Sequence, residues 1–167
     1  FKDTEFNAFK DKTIKAIVVP NGGAQTRKFF DSMTEFAVQE AGAKGLAWVK
    51  FDEANNPVGG IAKFIDEETK TKLQEKLEAK KEDSIFFIAD EFKTAQKVAG
   101  AVRIELGNRL DLIKKGEYKL CFIADFPMYE LSDEGKIDFC HNPFSMPQGE
   151  MEALETMNPL DILAYQY

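Results

Sequence analysis

The one histidine and the two cysteines of the chain are the first candidates for metal or thiol chemistry. Cys121 lies in one apolar run, while Cys140 and His141 close the next one. The acidic stretch between these runs is typical of a hairpin turn, which would bring the three side chains onto neighbouring strands. Three ligands in this arrangement match no zinc spacing, so structural thiols are favoured over a metal or thiol site. A hydrolase nucleophile is also poorly supported, because the chain lacks a serine elbow.

A second candidate is the glycine turn around Gly22 and Gly23. It lies between a β-rich run and a helical pattern, where backbone amides can hold a phosphate. Arg27 is the one side chain in the turn that could reach an anion. The turn lacks both the dinucleotide fingerprint and the Walker lysine. An ordinary tight turn is therefore favoured, with an anion site as the alternative.

Two proline-stiffened segments form the third candidate. Pro127 follows directly on an apolar run, and Pro143 follows directly on the pair His141–Asn142. Proline restricts its own backbone and that of the preceding residue. A histidine at a strand end beside such a stiff loop is a candidate for ligand binding, although a lone histidine is by default a surface residue. The glutamates of residues 150–155 do not align as paired catalytic carboxylates, so they are interpreted as a solvated face.

Hydrophobic patterning predicts the elements that position these residues. Apolar, β-branched runs typical of strands occupy residues 13–19, 45–51, 58–65 and 84–89. Helical spacing follows the glycine turn as far as Gly42, and it recurs over residues 66–81 and 91–113. This order predicts an α+β fold, with helices packed on one face of a mostly antiparallel sheet.

The last fifty residues have a different character. Their patterns predict a strand at 120–126, a turn at 133–136, a returning strand at 137–141 and a helix that begins near Asn158. Two strands and one helix cannot bury their own apolar side chains. This hairpin and helix start are therefore expected to belong to a larger antiparallel sheet.

Composition and charge exclude several protein classes. The 167 residues are 44% hydrophobic, and no apolar stretch approaches the ~20 residues of a membrane helix. Two cysteines and no basic-then-apolar start indicate a cytoplasmic protein without a secretory signal. Residues 1–117 carry 20 basic and 20 acidic side chains, whereas residues 118–167 carry 2 and 9 and hold the whole net charge of −7. A basic stripe for nucleic-acid binding is not evident, and the change of composition places a boundary after Glu117.

Three motifs in the last fifty residues closely resemble bacterial-type aspartyl-tRNA synthetases. They are FIADFPMYE at 122–130, HNPFSMP at 141–147 and DILAYQY at 161–167, in the order and at the spacing of that family. Residues 16–20, 34–36 and 42–47 look like the GAD domain inserted in that family, which also occurs in an archaeal tRNA-dependent amidotransferase. The resemblance assigns residues 1–117 to a GAD insertion domain and residues 118–167 to part of a synthetase catalytic domain.

The resemblance implies that the intact enzyme activates L-aspartate with ATP and Mg²⁺ and transfers it to tRNA. The tRNA would be tRNA-Asp, with tRNA-Asn left open as a second substrate, and the parent enzyme would be a cytoplasmic homodimer. His141 matches the family histidine that contacts the amino acid, whereas Asn142 stands where many members have a second histidine. The residues expected to shape the pocket are Asp125, Phe126, Pro127, Asn142, Pro143 and Phe144.

Several parts of that family's enzymes have no counterpart in the chain, among them the ATP-gripping arginine loop and the anticodon-binding barrel. A chain that runs from Phe1 to Tyr167 is therefore expected to be an excised, monomeric piece that cannot activate aspartate and needs no cofactor or metal. Two other hypotheses stay open. In one, residues 1–117 contact the tRNA acceptor arm, with Arg27 and Lys28 as the first RNA or anion contacts. Further basic residues that could join them on one face are Lys10, Lys12, Lys15, Arg103 and Arg109. In the other, the chain senses a small molecule at the Gly22–Gly23 turn.

Overall fold

The computed structural model describes residues 6–132, 134–140 and 144–165. The chain divides into two compact units, with the boundary between Lys115 and Gly116. Unit 1 is the part up to Lys115, and unit 2 is the part from Gly116 onward.

The described residues of unit 1 form a four-stranded sheet and three helices. Its strands are β1 (Thr13–Val19), β2 (Ala47–Phe51), β3 (Pro57–Val58) and β4 (Ser84–Asp90). Its helices are α1 (Arg27–Gln39), α2 (Glu67–Leu77) and α3 (Phe92–Arg109), and single 3-10 turns lie at Asn7–Phe9, Gly22–Ala24 and Ala62–Phe64. The strand order is β1-β4-β2-β3 with antiparallel neighbours throughout. The predicted α+β class with an antiparallel sheet is confirmed.

Strand β4 separates two apolar clusters because its side chains alternate between the faces of the sheet. Phe86 and Ile88 lie in the cluster that includes α1 and α3, whereas Ile85 and Phe87 lie in the cluster on the other face. All four side chains are almost completely buried. Complete burial of such a side chain contributes about 1.5–3 kcal/mol, so this strand is the centre of the unit.

The two faces of the sheet are covered differently. The α1–α3 face includes Trp48, whose ring stacks on Phe30 at 4.1 Å between centroids. The opposite face is covered by the 3-10 turns at Asn7–Phe9 and Ala62–Phe64 and by α2, which contributes only the half-buried Leu73 and Leu77. The expectation that helices pack on one face alone is wrong, because the thin apolar stripe of α2 is also used.

The predicted strand at 58–65 is wrong beyond Val58. Gly59 and Gly60 have positive φ values of 74° and 43°, which turn the chain across Trp48. The Ile61 amide donates to the Trp48 carbonyl oxygen at 2.9 Å, and a β-carbon on Gly60 would lie 1.8 Å from that oxygen. This close approach requires glycine and ends the strand.

Unit 2 is built around a short central strand segment. Its elements are β5 (Phe126–Pro127), β6 (Tyr129–Leu131), β7 (Ile137–Phe139), α4 (Glu150–Thr156) and β8 (Leu163–Ala164), with a 3-10 turn at Pro159–Asp161. Strand β5 pairs with β8, and β6 pairs with β7. Between them, the Met128 amide donates to Ile162 O at 2.9 Å and its carbonyl oxygen accepts from the Cys140 amide at 3.1 Å.

Two predictions for unit 2 are wrong. Residues 118–124 form no regular element, and Leu120 and Phe122 are fully exposed at 99% and 103%. A strand requires a hydrogen-bonded neighbour, and the described residues provide none for this run. The helix predicted near Asn158 is a single 3-10 turn that Asn158 caps by accepting from the Leu160 amide, and β8 follows it.

Candidate functional site

The motif around Asp125 leads into the two-stranded β5–β8 sheet of unit 2. Phe126 and Pro127 constitute β5, opposite Ala164 and Leu163. Asp125 precedes them in the left-handed backbone region at φ 55°. This conformation is tolerated by aspartate better than by most residues, and it marks a sharp entry into the strand.

Gln148 fixes the carboxylate of Asp125. Its side-chain amide donates to Asp125 Oδ1 at 2.6 Å, and its backbone amide donates to Leu163 O at 2.8 Å. The segment around Gln148 is thus attached both to β8 and to the entry of β5. Gln148 was not identified from the sequence. The available indication was a polar side chain between Pro147 and Gly149, two residues typical of turns.

Three predicted site residues, His141, Asn142 and Pro143, lie outside the described residues. Of their described neighbours, Cys140 is held through its amide by Met128 O, and Phe144 has an exposed fraction of 91%. The predicted role of His141 in binding aspartate therefore stays a prediction.

The structure separates the two cysteines. Strand β7, which leads to Cys140, pairs with Tyr129–Leu131 and not with the run that contains Cys121. Cys121 is exposed, whereas Cys140 is half-buried. Within residues 6–132, 134–140 and 144–165, no group of three or more His, Cys, Asp or Glu side chains could hold a metal ion. The hairpin pairing on which the metal or thiol hypothesis depends is wrong.

Two backbone amides at the Gly22–Gly23 turn are hydrogen-bonded within the protein. The Gly23 amide donates to Glu82 O at 2.7 Å, and the Asn21 amide donates to Asp83 Oδ1 at 2.9 Å. Lys50 Nζ donates to the carbonyl oxygens of Gly23 and Gln25 at 2.9 and 3.2 Å. This geometry favours a structural turn over an anion site.

The basic residues considered for RNA contact lie in more than one part of unit 1. Lys10 and Lys12 precede β1, while Arg27 and Lys28 follow its other end, and seven residues at ~3.3 Å each separate these ends by about 20 Å. Arg27 is 83% exposed, with its Nε 3.5 Å from Asp31 Oδ2.

Arg109 is occupied within unit 1. Its Nε donates to Glu105 Oε1 at 2.6 Å, and its Nη1 donates to Ser32 Oγ at 2.9 Å. The guanidinium also lies 5.8 Å from the Phe36 ring centroid. These contacts join α3 to α1, which indicates a structural role.

One buried carboxylate organises the entry to α3. Asp90 accepts from the Glu91 amide at 2.8 Å and from Lys44 Nζ at 3.1 Å. The Glu91 amide, and after it the Lys44 ammonium, lower the pKa of the Asp90 carboxyl below its ordinary value. Glu91 in turn accepts from Lys12 Nζ at 2.6 Å.

Among the described residues no helix is long and apolar enough to cross a membrane.

Comparison with protein families identifies unit 1. The GAD domain model matches residues 6–99, more than half of the chain. The chain belongs to the GAD domain family. The GAD match includes the whole four-stranded sheet, α1, α2 and the first part of α3, so the GAD core is the α+β layer of unit 1.

Aspartate–tRNA ligases are similar to the chain over its full length. The enzyme of Streptomyces avermitilis is 49% identical over 168 residues, which cover 100% of this chain and 28% of the enzyme. That of Streptomyces coelicolor is 48% identical with the same coverage. The aspartate–tRNA(Asp/Asn) ligase of Rickettsia felis is 45% identical over 177 residues, which cover 100% of this chain and 29% of that enzyme. The chain thus spans less than a third of these relatives, and unit 2 is aligned together with the GAD domain.

Proposed function

We propose that the chain is part of an aspartate–tRNA ligase, which activates L-aspartate with ATP and Mg²⁺ and transfers it to tRNA. The supporting observation is the alignment with aspartate–tRNA ligases at 45–49% identity through both units. If the chain shared only a GAD domain with these enzymes, the similarity would not have to extend into the acidic unit 2.

In this proposal unit 1 is a GAD insertion domain, and residues 118–167 are a part of the catalytic domain. The surface of unit 2 supports the second assignment. Large apolar side chains are exposed on its irregular segment, its β6–β7 hairpin and α4, including Phe122, Ile137 and Met151. Only Met128, Ala153, Ile162 and Ala164 are buried apolar residues among its described part. Exposed apolar surface on this scale indicates packing against further protein.

The proposed amino-acid contact is His141. It follows Cys140, whose amide is bonded to the central Met128, and it precedes the segment that Gln148 attaches to Asp125. A histidine next to such an anchored strand end can donate a hydrogen bond to the substrate carboxylate. Phe126 and Pro127 on β5, together with Asn142, Pro143 and Phe144, would shape the pocket around it. We assign no ATP or Mg²⁺ contact to the described residues.

The proposed partners of the complete protein are L-aspartate and tRNA-Asp, with tRNA-Asn as a further substrate to be tested. Similar proteins carry both descriptions, since the Rickettsia relatives are aspartate–tRNA(Asp/Asn) ligases and the Streptomyces ones are aspartate–tRNA ligases. We place the parent enzyme in the cytoplasm as a homodimer.

The test is ATP–pyrophosphate exchange by the complete protein with aspartate, asparagine or glutamate as substrate. We expect exchange with L-aspartate alone, and we expect His141→Ala to raise the KM for aspartate far more than the KM for ATP. The isolated 167-residue chain is expected to show no exchange. Absence of aspartate-dependent exchange by the complete protein would contradict the proposal.

A further inference from the structure

The outward face of α3 carries an unneutralised group of cations. Lys93, Lys97 and Arg103 are all exposed, and within the described part of the chain none of them forms an ion pair with a carboxylate. With 100° between successive helix residues, they share with Phe92 an arc of about 140°. The buried residues of α3, Ala95, Val98, Val102 and Leu106, occupy the opposite side.

The acids near this face are occupied elsewhere. Glu105, the one acid inside α3, pairs with Arg109 on the side of the helix that faces α1. Asp90 and Glu91, which precede the helix, pair with Lys44 and Lys12. The positive charge on the outward face is therefore not cancelled locally.

An exposed aromatic ring lies at the beginning of the same face. Phe92 is 56% exposed, and Lys15 Nζ from β1 lies 5.1 Å from its ring centroid. A large exposed ring beside a lysine suits the stacking of a base next to its phosphate. Further along, a β-carbon on Gly100 would meet no atom within 4 Å, so the helix backbone is open to close approach.

We propose that this α3 face, consisting of Lys15, Phe92, Lys93, Lys97 and Arg103, is an RNA-binding surface. Its charge complements a phosphate backbone, and Lys93 and Arg103 are separated by about 15 Å along the helix, which is enough to contact two or three phosphates. The exposed ring favours RNA over an acidic protein, because bases supply the stacking partner. The identity of the RNA as tRNA rests on the proposed function. The surface differs from the Arg27–Lys28 contact predicted from the sequence.

The first test measures binding of a tRNA-Asp transcript to the complete protein by fluorescence anisotropy at 50 and 200 mM KCl. The test variant is Lys93→Gln/Lys97→Gln/Arg103→Gln, and the matched control is Lys76→Gln/Lys80→Gln/Lys81→Gln, which removes the same charge from exposed lysines of and after α2. We expect the α3 variant to raise Kd at least tenfold at 50 mM KCl and to reduce the salt slope by about 2–3. The control should change Kd less than twofold. Unchanged affinity in the α3 variant, or an equal loss in the control, would overturn the proposal.

A second variant separates stacking from charge. Phe92→Leu should raise Kd about fivefold or more while leaving the salt slope unchanged, because it removes a base-stacking surface and no charge. A polyglutamate competitor should displace the transcript poorly; displacement equal to that by unlabelled RNA would refute selectivity for RNA. Aspartate-dependent pyrophosphate exchange, which requires no tRNA, should persist in all three variants. Its absence from the wild-type protein would instead contradict the proposed function and would leave the RNA-binding result standing on its own.

Discussion

The contact between Gly22 and Ser84 allows the packing of unit 1 to be tested quantitatively. A β-carbon on Gly22 would lie 2.2 Å from Ser84 Oγ and 3.1 Å from the Cβ atoms of Ser84 and Val19. Ser84 is completely buried, and its Oγ has no hydrogen-bond partner in the structure. The hydroxyl is therefore both the main obstacle to a larger residue at position 22 and an unfavourable buried group by itself.

These distances predict a double-mutant cycle with strong coupling. Gly22→Ala should destabilise unit 1 by about 2–3 kcal/mol, because the new methyl overlaps a completely buried side chain that must shift to admit it. Ser84→Ala should stabilise it by about 1 kcal/mol, since it removes a buried hydroxyl without a partner. In the Ser84→Ala background, Gly22→Ala should cost about 1–2 kcal/mol less than in the wild type, because only contacts near 3.1 Å remain.

The assay is urea unfolding followed by the fluorescence of Trp48, the single tryptophan, which is buried against Phe30. Gly100→Ala is the matched control. A β-carbon there meets nothing, so the substitution should stabilise α3 by about 0.5–1 kcal/mol. Additive effects of Gly22→Ala and Ser84→Ala, or a Gly22→Ala cost near zero, would refute this account of the turn.

Three further predictions concern charge and accessibility. The folded-state pKa of Asp90 is lowered, so the stability that Asp90 contributes is present above its unfolded pKa of about 3.9 and is lost as the pH falls through the folded value. The urea midpoint measured between pH 6 and pH 2 should therefore fall less in Asp90→Asn than in the wild type. Arg109→Met should lower the free energy of unfolding by about 1 kcal/mol, since it removes the hydrogen bonds to Glu105 and Ser32, and calorimetry that shows no change would contradict the structural role. Trypsin should cut first after Lys119, because the exposed segment around this residue has no regular structure. A first cut inside α1 or α3, identified by mass spectrometry, would contradict the division into two units.

The regular elements of unit 1 could be predicted from the sequence because their patterns are locally consistent. The run Thr13–Val19 forms β1 as predicted, and the spacing of Ala95, Val98, Val102 and Leu106 gives the buried side of α3. Prediction failed after Val58, where a close approach of Gly60 to Trp48 O turns the chain. A contact between Gly60 and Trp48, which are twelve positions apart in the sequence, cannot be inferred from hydrophobic periodicity.

In unit 2 the limits of prediction have another cause. The run that includes Leu120 and Phe122 has strand propensity, yet its structure depends on a hydrogen-bonded neighbour that the described residues do not provide. The motif resemblance singled out His141, whose role stays a prediction, and Asp125 at the entry of β5. It gave no indication that Gln148 binds Asp125. The sequence hypothesis of an RNA contact named Lys15 and Arg103 of the proposed α3 surface. It did not name Phe92, Lys93 or Lys97, because the net charge over residues 1–117 is zero and only the structure shows which acids are already paired.

The most direct test of the central claim is esterification of labelled L-aspartate to tRNA by the complete protein that contains this chain. With ATP and Mg²⁺ present, we expect acid-precipitable aspartate on a tRNA-Asp transcript, no transfer of asparagine, and a raised KM for tRNA when Lys93, Lys97 and Arg103 are replaced by glutamine. A complete, folded protein that leaves tRNA-Asp and tRNA-Asn uncharged would contradict the assignment to an aspartate–tRNA ligase.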